Sequence, residues 1–351
     1  MNKDFNLDTL VRENIKAMSA YSSARDEFTD FEDDMVFLDA NENPFETKVN
    51  RYPDPQQLNL KTQLSSVKRV PINQILLGNG SDEVLDLIFR AFCEPNRDNI
   101  ITLPPTYGMY KVLANTNAIE NKEVLLVDDF QLDVNAILAE VDANTKLIFI
   151  CSPNNPTGNL IASKAIETIL SSFNGIIVID EAYIDFAEAE SWTTRLQEFQ
   201  NLIVTQTLSK AYGMAGIRLG MCFASKEIIS ILNKIKPPYN VNVLTQQVAL
   251  KRILEEENVQ LEITKLISER EKLMNQLNTI NFINHSYKTD ANFILVKVDD
   301  ANKRYKQLIE NGIVIRNRST QPLCENTLRF TVGTASENEK LITTLKSISK
   351  S

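Results

Sequence analysis

The chain has 351 residues, 43% of them hydrophobic and 24% charged, with 37 Lys and Arg against 46 Asp and Glu for a net charge of -9 at pH 7. That length carries one large core plus a smaller domain with a cleft between them, and the acidic balance argues against a nucleic-acid partner, which needs a basic field. Four separated cysteines (Cys93, Cys151, Cys222, Cys324) with no CxxC pair, and a single histidine (His285), argue against a disulfide framework, a metal centre and a Ser-His-Asp triad.

The opening "MNKDFNLDTL" has no apolar run of the secretory kind, and no stretch approaches the roughly 18 apolar residues of a membrane span, so a cytoplasmic protein without membrane contact is expected. From residue 73 onward, short apolar runs alternate with helix-length amphipathic segments. "NQILLGNG" leads into a helix over 81–93, "NIITL" into one over 105–116 and "TKLIFICS" into one over 162–172; "GIIVID", "NLIVTQT" and "LGMCFAS" follow. This rhythm predicts an α/β fold whose mostly parallel sheet is wrapped by helices and binds ligands at the carboxyl ends of its strands. A charged helical stretch over 243–277 interrupts it. Beyond lie "ANFILVKV", a helix near 301–311, "GIVIRN", "TLRFTV" and a terminal helix, which predict a smaller α+β domain. The expected division is an N-terminal arm over 1–40 that contributes to the small domain and covers the substrate, a large domain over 41–250 and a small domain over 251–351.

Each polar residue at a strand end has an ordinary structural explanation when taken alone. Asp180, after "GIIVI", can cap a helix; Asn155 and Gly158 in "SPNNPTGN" suit a turn; Gly78, Gly80, Ser81 and Asp82 suit a glycine turn with a capped helix start. The GxGxxG fingerprint fails at Glu83, and no GK[ST] follows. Tyr107 in "PPTYGMY" suits a core aromatic, and Lys210 in "TQTLSKAYGMAGIRLG" a solvated strand end. Together they amount to a lysine, a carboxylate, an amide, a flat aromatic ring, a phenol and an anion cup of Ser209, Arg218 and a helix N-terminus. Pyridoxal 5'-phosphate needs that set.

The ordered blocks "LDANENP" (38–44), "RYPDP" (51–55), "GNGSDE" (78–83), "PTYGMY" (105–110), "CSPNNPTGN" (151–159), "DEAYIDF" (180–186), "TLSKAYGMAGIRLG" (207–220), "PPYNVN" (237–242) and "LRFTVGT" (328–334) span nearly the whole chain. They resemble the fold type I, pyridoxal-phosphate-dependent aminotransferases of class I and II, and "GIVIRNRS" with the N-terminal blocks resembles their histidinol-phosphate branch. The resemblance implies a seven-stranded large-domain sheet. It makes Lys210 the Schiff-base lysine and proton carrier, Asp180 the partner of the pyridine nitrogen, and Asn155 and Tyr183 the partners of the 3'-oxygen. Tyr107 would stack on the ring, while Gly80, Ser81, Asp82, Ser209 and Arg218 would form the phosphate cup.

By the same resemblance Tyr52 reaches the phosphate in the partner subunit of a homodimer, Arg329 clamps a carboxylate, Arg316 takes the substrate's second anion, and Tyr21 and Asn41 close over the substrate. The implied reaction is a ping-pong exchange. L-glutamate gives up its amine and leaves as 2-oxoglutarate, and imidazole acetol phosphate becomes L-histidinol phosphate, a step of histidine biosynthesis. An aromatic amino acid aminotransferase, a phosphothreonine decarboxylase and a catalytically silent cofactor-binding regulator are the alternatives.

Overall fold

The computed structural model describes residues 5–19 and 36–349. Its larger sheet is built from β1 (Ile75–Asn79), β2 (Asn99–Thr102), β3 (Glu120–Glu123), β4 (Thr145–Cys151), β5 (Ile176–Asp180), β6 (Leu202–Thr207) and β7 (Leu219–Ala224), in the spatial order β1-β7-β6-β5-β4-β2-β3. The pairings from β6 through β5, β4 and β2 to β3 are parallel, whereas β7 runs antiparallel to both β6 and β1. The expected seven-stranded, mostly parallel sheet is therefore present. Its central strands read as unbroken apolar runs because both faces are covered. Ile177 and Ile179 of β5 face one hydrophobic cluster with Ile148, Ile150 and Val204, while Ile176 and Val178 face another with Phe149, Phe89 and Ile203.

The helices are α1 (Glu13–Ala17), α2 (Leu58–Lys68), α3 (Gly80–Phe92), α4 (Met109–Thr116), α5 (Val134–Ala139), α6 (Ser163–Ser172), α7 (Lys226–Ile235), α8 (Val243–Leu254), α9 (Glu256–Leu277), α10 (Ala301–Glu310) and α11 (Ala335–Ile348). The helix expected from 105 starts at Met109, because Pro104 and Pro105 give residues 103–108 to a loop. The stretch expected to be helical over 243–277 is two helices separated at Glu255, whose ψ of 38° leaves the helical region. β3, "ENKE", is a charged edge strand with no apolar run to betray it. The second sheet has the order β10-β11-β9-β8, all antiparallel, from β8 (Ile283–Ser286), β9 (Phe293–Val298), β10 (Arg316–Asn317) and β11 (Thr327–Thr331), and its apolar face packs with α9, α10 and α11.

Residues 5–19 of the expected N-terminal arm pack on the large sheet's outer helices rather than on the second sheet. Leu10, Val11 and Ile15 are buried in the cluster that holds Phe89 and Leu232, and Arg12 Nε donates to Glu94 at 3.0 Å. Burial of these three apolar side chains between α3 and α7 decides the placement. Among the described residues no helix is long and apolar enough to cross a membrane.

Two local devices bring the parts of the cleft together. Gly220 in β7 lies against the first turn of α3: a Cβ there would meet the Gly80 carbonyl carbon and the Ser81 nitrogen, each at 2.3 Å. Glu181, buried just beyond β5, accepts from Trp192 N at 2.7 Å, Gln206 Nε2 at 2.9 Å and Ser191 Oγ at 2.5 Å, and so ties the loop after β5 to β6. Burial outweighs these hydrogen bonds and the nearby Lys68, pushing the Glu181 carboxyl up to about 7.

Gly220→Ala is expected to destabilise the protein by about 2 kcal/mol or more through backbone overlap, and an unchanged denaturant midpoint would refute that packing argument. Glu181 has a folded pKa above its ordinary carboxylate value, so its contribution is complete at low pH and lost as pH rises through about 7. Relative to Glu181→Gln, the parent should lose on the order of 1–3 kcal/mol between pH 5 and pH 8. Denaturant titrations of both proteins at the two pH values measure the difference, and parallel pH profiles would sink the assignment.

Candidate active site

The site lies where β4, β5 and β6 end, as parallel-sheet sites do. Ser81, Asp82, Tyr107, Cys151, Asn155, Asp180, Tyr183, Thr207, Ser209, Lys210 and Arg218 line one cleft. At one end is the N-terminus of α3, which has no side-chain cap. Gly80 there has φ of +74° and donates its N–H to the Arg218 carbonyl at 3.0 Å; a Cβ on Gly80 would overlap the Arg218 guanidinium at 2.6 Å. An uncapped helix start, the Ser209 hydroxyl and the Arg218 guanidinium together suit an anion. Arg218 meanwhile faces Asp82 at 3.5 Å, and Tyr107 Oη donates to the other oxygen of Asp82 at 3.0 Å.

Asp180 forms the floor, on the central strand and 2% exposed. Its Oδ2 accepts from Tyr110 Oη at 2.7 Å and its Oδ1 from the Ala182 N–H at 3.2 Å. Burial raises its pKa, and these hydrogen bonds only partly offset that rise. Among the described residues no basic side chain forms an ion pair with it, so a cationic N–H arriving from the cleft is the partner it lacks. Tyr110 is itself fully buried, stacked on Phe149 with ring centroids 4.9 Å apart.

At the other wall Asn155 Nδ2 donates to Tyr183 Oη at 3.4 Å, and Arg329, on β11 of the small sheet, donates to Asn155 Oδ1. Arg329 also lies 4.8 Å from the Phe293 ring, and Tyr183 meets Phe293 edge-on at 5.1 Å. Burial raises the Tyr183 pKa, so the phenol keeps its proton. Lys210 is open to solvent at the cleft mouth but crowded by protein elsewhere, with Nζ 5.6 Å from the Tyr183 ring centre. Desolvation lowers its pKa first, and the charges of Arg329 and Arg218 add to this while Asp180 and Asp82 oppose it. A neutral amine, the form that can take a proton, is thereby favoured.

The structure thus gathers Ser81, Asp82, Tyr107, Asn155, Asp180, Tyr183, Ser209, Lys210 and Arg218 around one space, with Gly80 shaping its anion end. Arg329 joins through Asn155, and Arg316 is Arg329's register partner across β10 and β11. Two expected residues lie elsewhere in this chain: Tyr52 stacks on Tyr239 at 4.4 Å, and it shares a surface depression with Asn41. Tyr21 falls outside the described residues. Sequence reasoning passed over Tyr110, whose only signal is its position three residues after Tyr107, and Thr207, a polar residue closing an apolar strand whose hydroxyl donates to Ser209 Oγ at 3.0 Å.

Residues 35–345 match the family described as aminotransferase class I and II. The histidinol-phosphate aminotransferase of Flavobacterium johnsoniae is 63% identical over 343 residues, covering 97% of this chain and 98% of that protein. That of Flavobacterium psychrophilum is 64% identical over 345 residues, covering 98% and 99%. Among solved structures, the histidinol-phosphate aminotransferase of Clostridium acetobutylicum superposes with a TM-score of 0.80 at 24% identity, covering 86% of this chain and 92% of that one. The Sinorhizobium meliloti enzyme in complex with pyridoxal-5'-phosphate gives 0.80 at 21%, covering 86% and 84%. These two structures share the fold, and the sequence match over nearly the full length settles the family: this chain is a class I and II aminotransferase.

Proposed function

We propose that this protein is a histidinol-phosphate aminotransferase that uses pyridoxal 5'-phosphate and L-glutamate in histidine biosynthesis. The observation that carries the reading is the buried Asp180, with no ion-pair partner among the described residues, set on the floor of a cleft with an uncapped helix N-terminus at one end and a pKa-lowered lysine at its mouth. Those features fit the cofactor's ring nitrogen, phosphate and aldehyde in turn. When bound, pyridoxal phosphate supplies an electron sink for charge developing at the substrate's Cα.

The protein's part follows from its own groups. The Ser81 and Asp82 N–H groups, Ser209 and Arg218 would hold the phosphate. Asp180, steadied by Tyr110, would pair with the ring nitrogen, Asn155 and Tyr183 would hold the 3'-oxygen, and Tyr107 would supply an aromatic contact to the ring. Lys210 would secure the cofactor and, as a free amine, would move the proton at the substrate's Cα. Arg329 and Arg316 orient the substrate's anionic groups. With one histidine in the chain, a lysine base is the economical solution. This reading includes a cytoplasmic homodimer. Val49 (51% exposed), Tyr52 (52%) and Leu244 (58%) form exposed apolar surface around the Tyr52 depression, which suits burial by a second copy.

With cofactor bound, Lys210→Ala should slow the glutamate half-reaction by about 10²-fold or more, while the parent's rate should rise with pH to a midpoint below lysine's ordinary 10.5. Stopped-flow absorbance reads both, and near-parental turnover by the variant would overturn the base assignment. Light scattering should give twice 39.7 kDa; a monomer mass would remove the subunit-bridging role of Tyr52. The substrate is decided by comparing L-histidinol phosphate, L-phenylalanine and phosphothreonine. Conversion led by phenylalanine, or carbon dioxide release from phosphothreonine, would replace the proposed activity.

A further inference from the structure

Arg318 stands two residues beyond Arg316 on a strand that continues to pair with β11: its N–H donates to the Thr327 carbonyl at 2.9 Å. Arg316 lies directly opposite Arg329 in that ladder. Side chains two apart on a strand, and those directly opposite across a ladder, share a face. Arg316, Arg318 and Arg329 therefore lie on one face of the small sheet, and Arg329 reaches from it to Asn155 in the cleft. Like charges so placed repel.

Among the described residues no carboxylate relieves the repulsion. Among the described residues none of the three forms an ion pair, and Arg318 has no side-chain hydrogen bond at all. Its Nε and that of Arg329 are both buried without an acceptor. Its charge acts on the phenol of Tyr183, already a wall of the site, and desolvation together with Arg329 and Arg316 holds its own pKa down to about 10. A half-buried guanidinium with an unmet donor is costly unless an anion arrives to meet it. Two arginines suffice for the two carboxylates of glutamate. A third gives further donors to an anion that carries two charges on one tetrahedral group.

We propose that Arg318 is a third anion-binding side chain of the substrate cleft, donating to the phosphate monoester of the phosphorylated substrate and setting the preference for it over an unphosphorylated amino alcohol. The substrate's identity rests on the proposed function; the presence of a dianion subsite does not.

The test uses the cofactor-loaded enzyme with Arg318→Gln and Arg318→Lys, and follows the half-reaction with L-histidinol phosphate and with L-histidinol. Inorganic phosphate is added separately as an inhibitor of the glutamate half-reaction. Arg318→Gln should raise the half-saturating histidinol phosphate concentration by about 10- to 100-fold, the value of losing a charged hydrogen-bonding partner. The maximal rate should change far less. The ratio of kcat/KM for histidinol phosphate over histidinol should collapse, inhibition by phosphate should weaken in parallel, and Arg318→Lys should restore part of both. The melting temperature should not fall, because an unpaired charge has been removed. Unchanged half-saturation and phosphate inhibition would overturn the assignment. So would equal losses for histidinol and histidinol phosphate together with a lower melting temperature, which would mark a structural arginine. If the parent enzyme ignores histidinol phosphate, the functional reading fails, and the phosphate arm still decides Arg318.

Discussion

Everything in the cleft depends on a carboxylate held at the end of a fully buried strand of the sheet. Asp180 closes β5 between β4 and β6, 2% exposed, where Tyr110 and the Ala182 backbone amide donate to it. An aspartate in that position is unfavourable by itself, and a cationic group brought beside it would offset that cost. The stacked Phe89, Phe149 and Tyr110 rings show how much core is devoted to holding that geometry. The sheet does not simply carry the site; the site's most demanding charge is a product of the sheet's burial.

The remaining electrostatics follow from the same dryness. The chain is acidic overall, yet its cleft concentrates Lys210, Arg218 and Arg329, with Arg316 and Arg318 on the face from which Arg329 reaches in. Crowding by protein and the charges of Arg329 and Arg218 lower the Lys210 pKa, so cations placed to receive anions also favour its neutral amine. In the proposed reaction, anion recognition and proton transfer would be coupled through one local field. Neutralising those cations with bound anions would feed back on the amine.

Much of this was legible from residue order. The central strands announced themselves as apolar runs because helices cover both faces, and their polar ends marked Asn155, Asp180, Ser209 and Lys210. What escaped did so for identifiable reasons. β3 carries its charges at a sheet edge, where no apolar pattern is required. Tyr110 looks like any helical aromatic until its hydroxyl is seen against Asp180, and Arg318 like any surface arginine until its neighbours are counted. Asn41 reads as part of a substrate lid, yet in this chain it lies beside Tyr52.

The amino-acid sequence by itself determined the α/β layering, the family, and which lysine, aspartate and arginines are proposed to meet a cofactor and substrate. Local pattern and ordered motifs suffice for these, since each is written in contiguous residues. Only the tertiary structure decided which of those residues share a space and in what electrical state. Burial of Asp180, crowding of Lys210, the hydrogen bond that joins Arg329 to Asn155 and the convergence of three arginines on one face all arise between segments far apart in the chain. Such long-range terms depend on distance and desolvation, quantities that no single stretch of sequence contains.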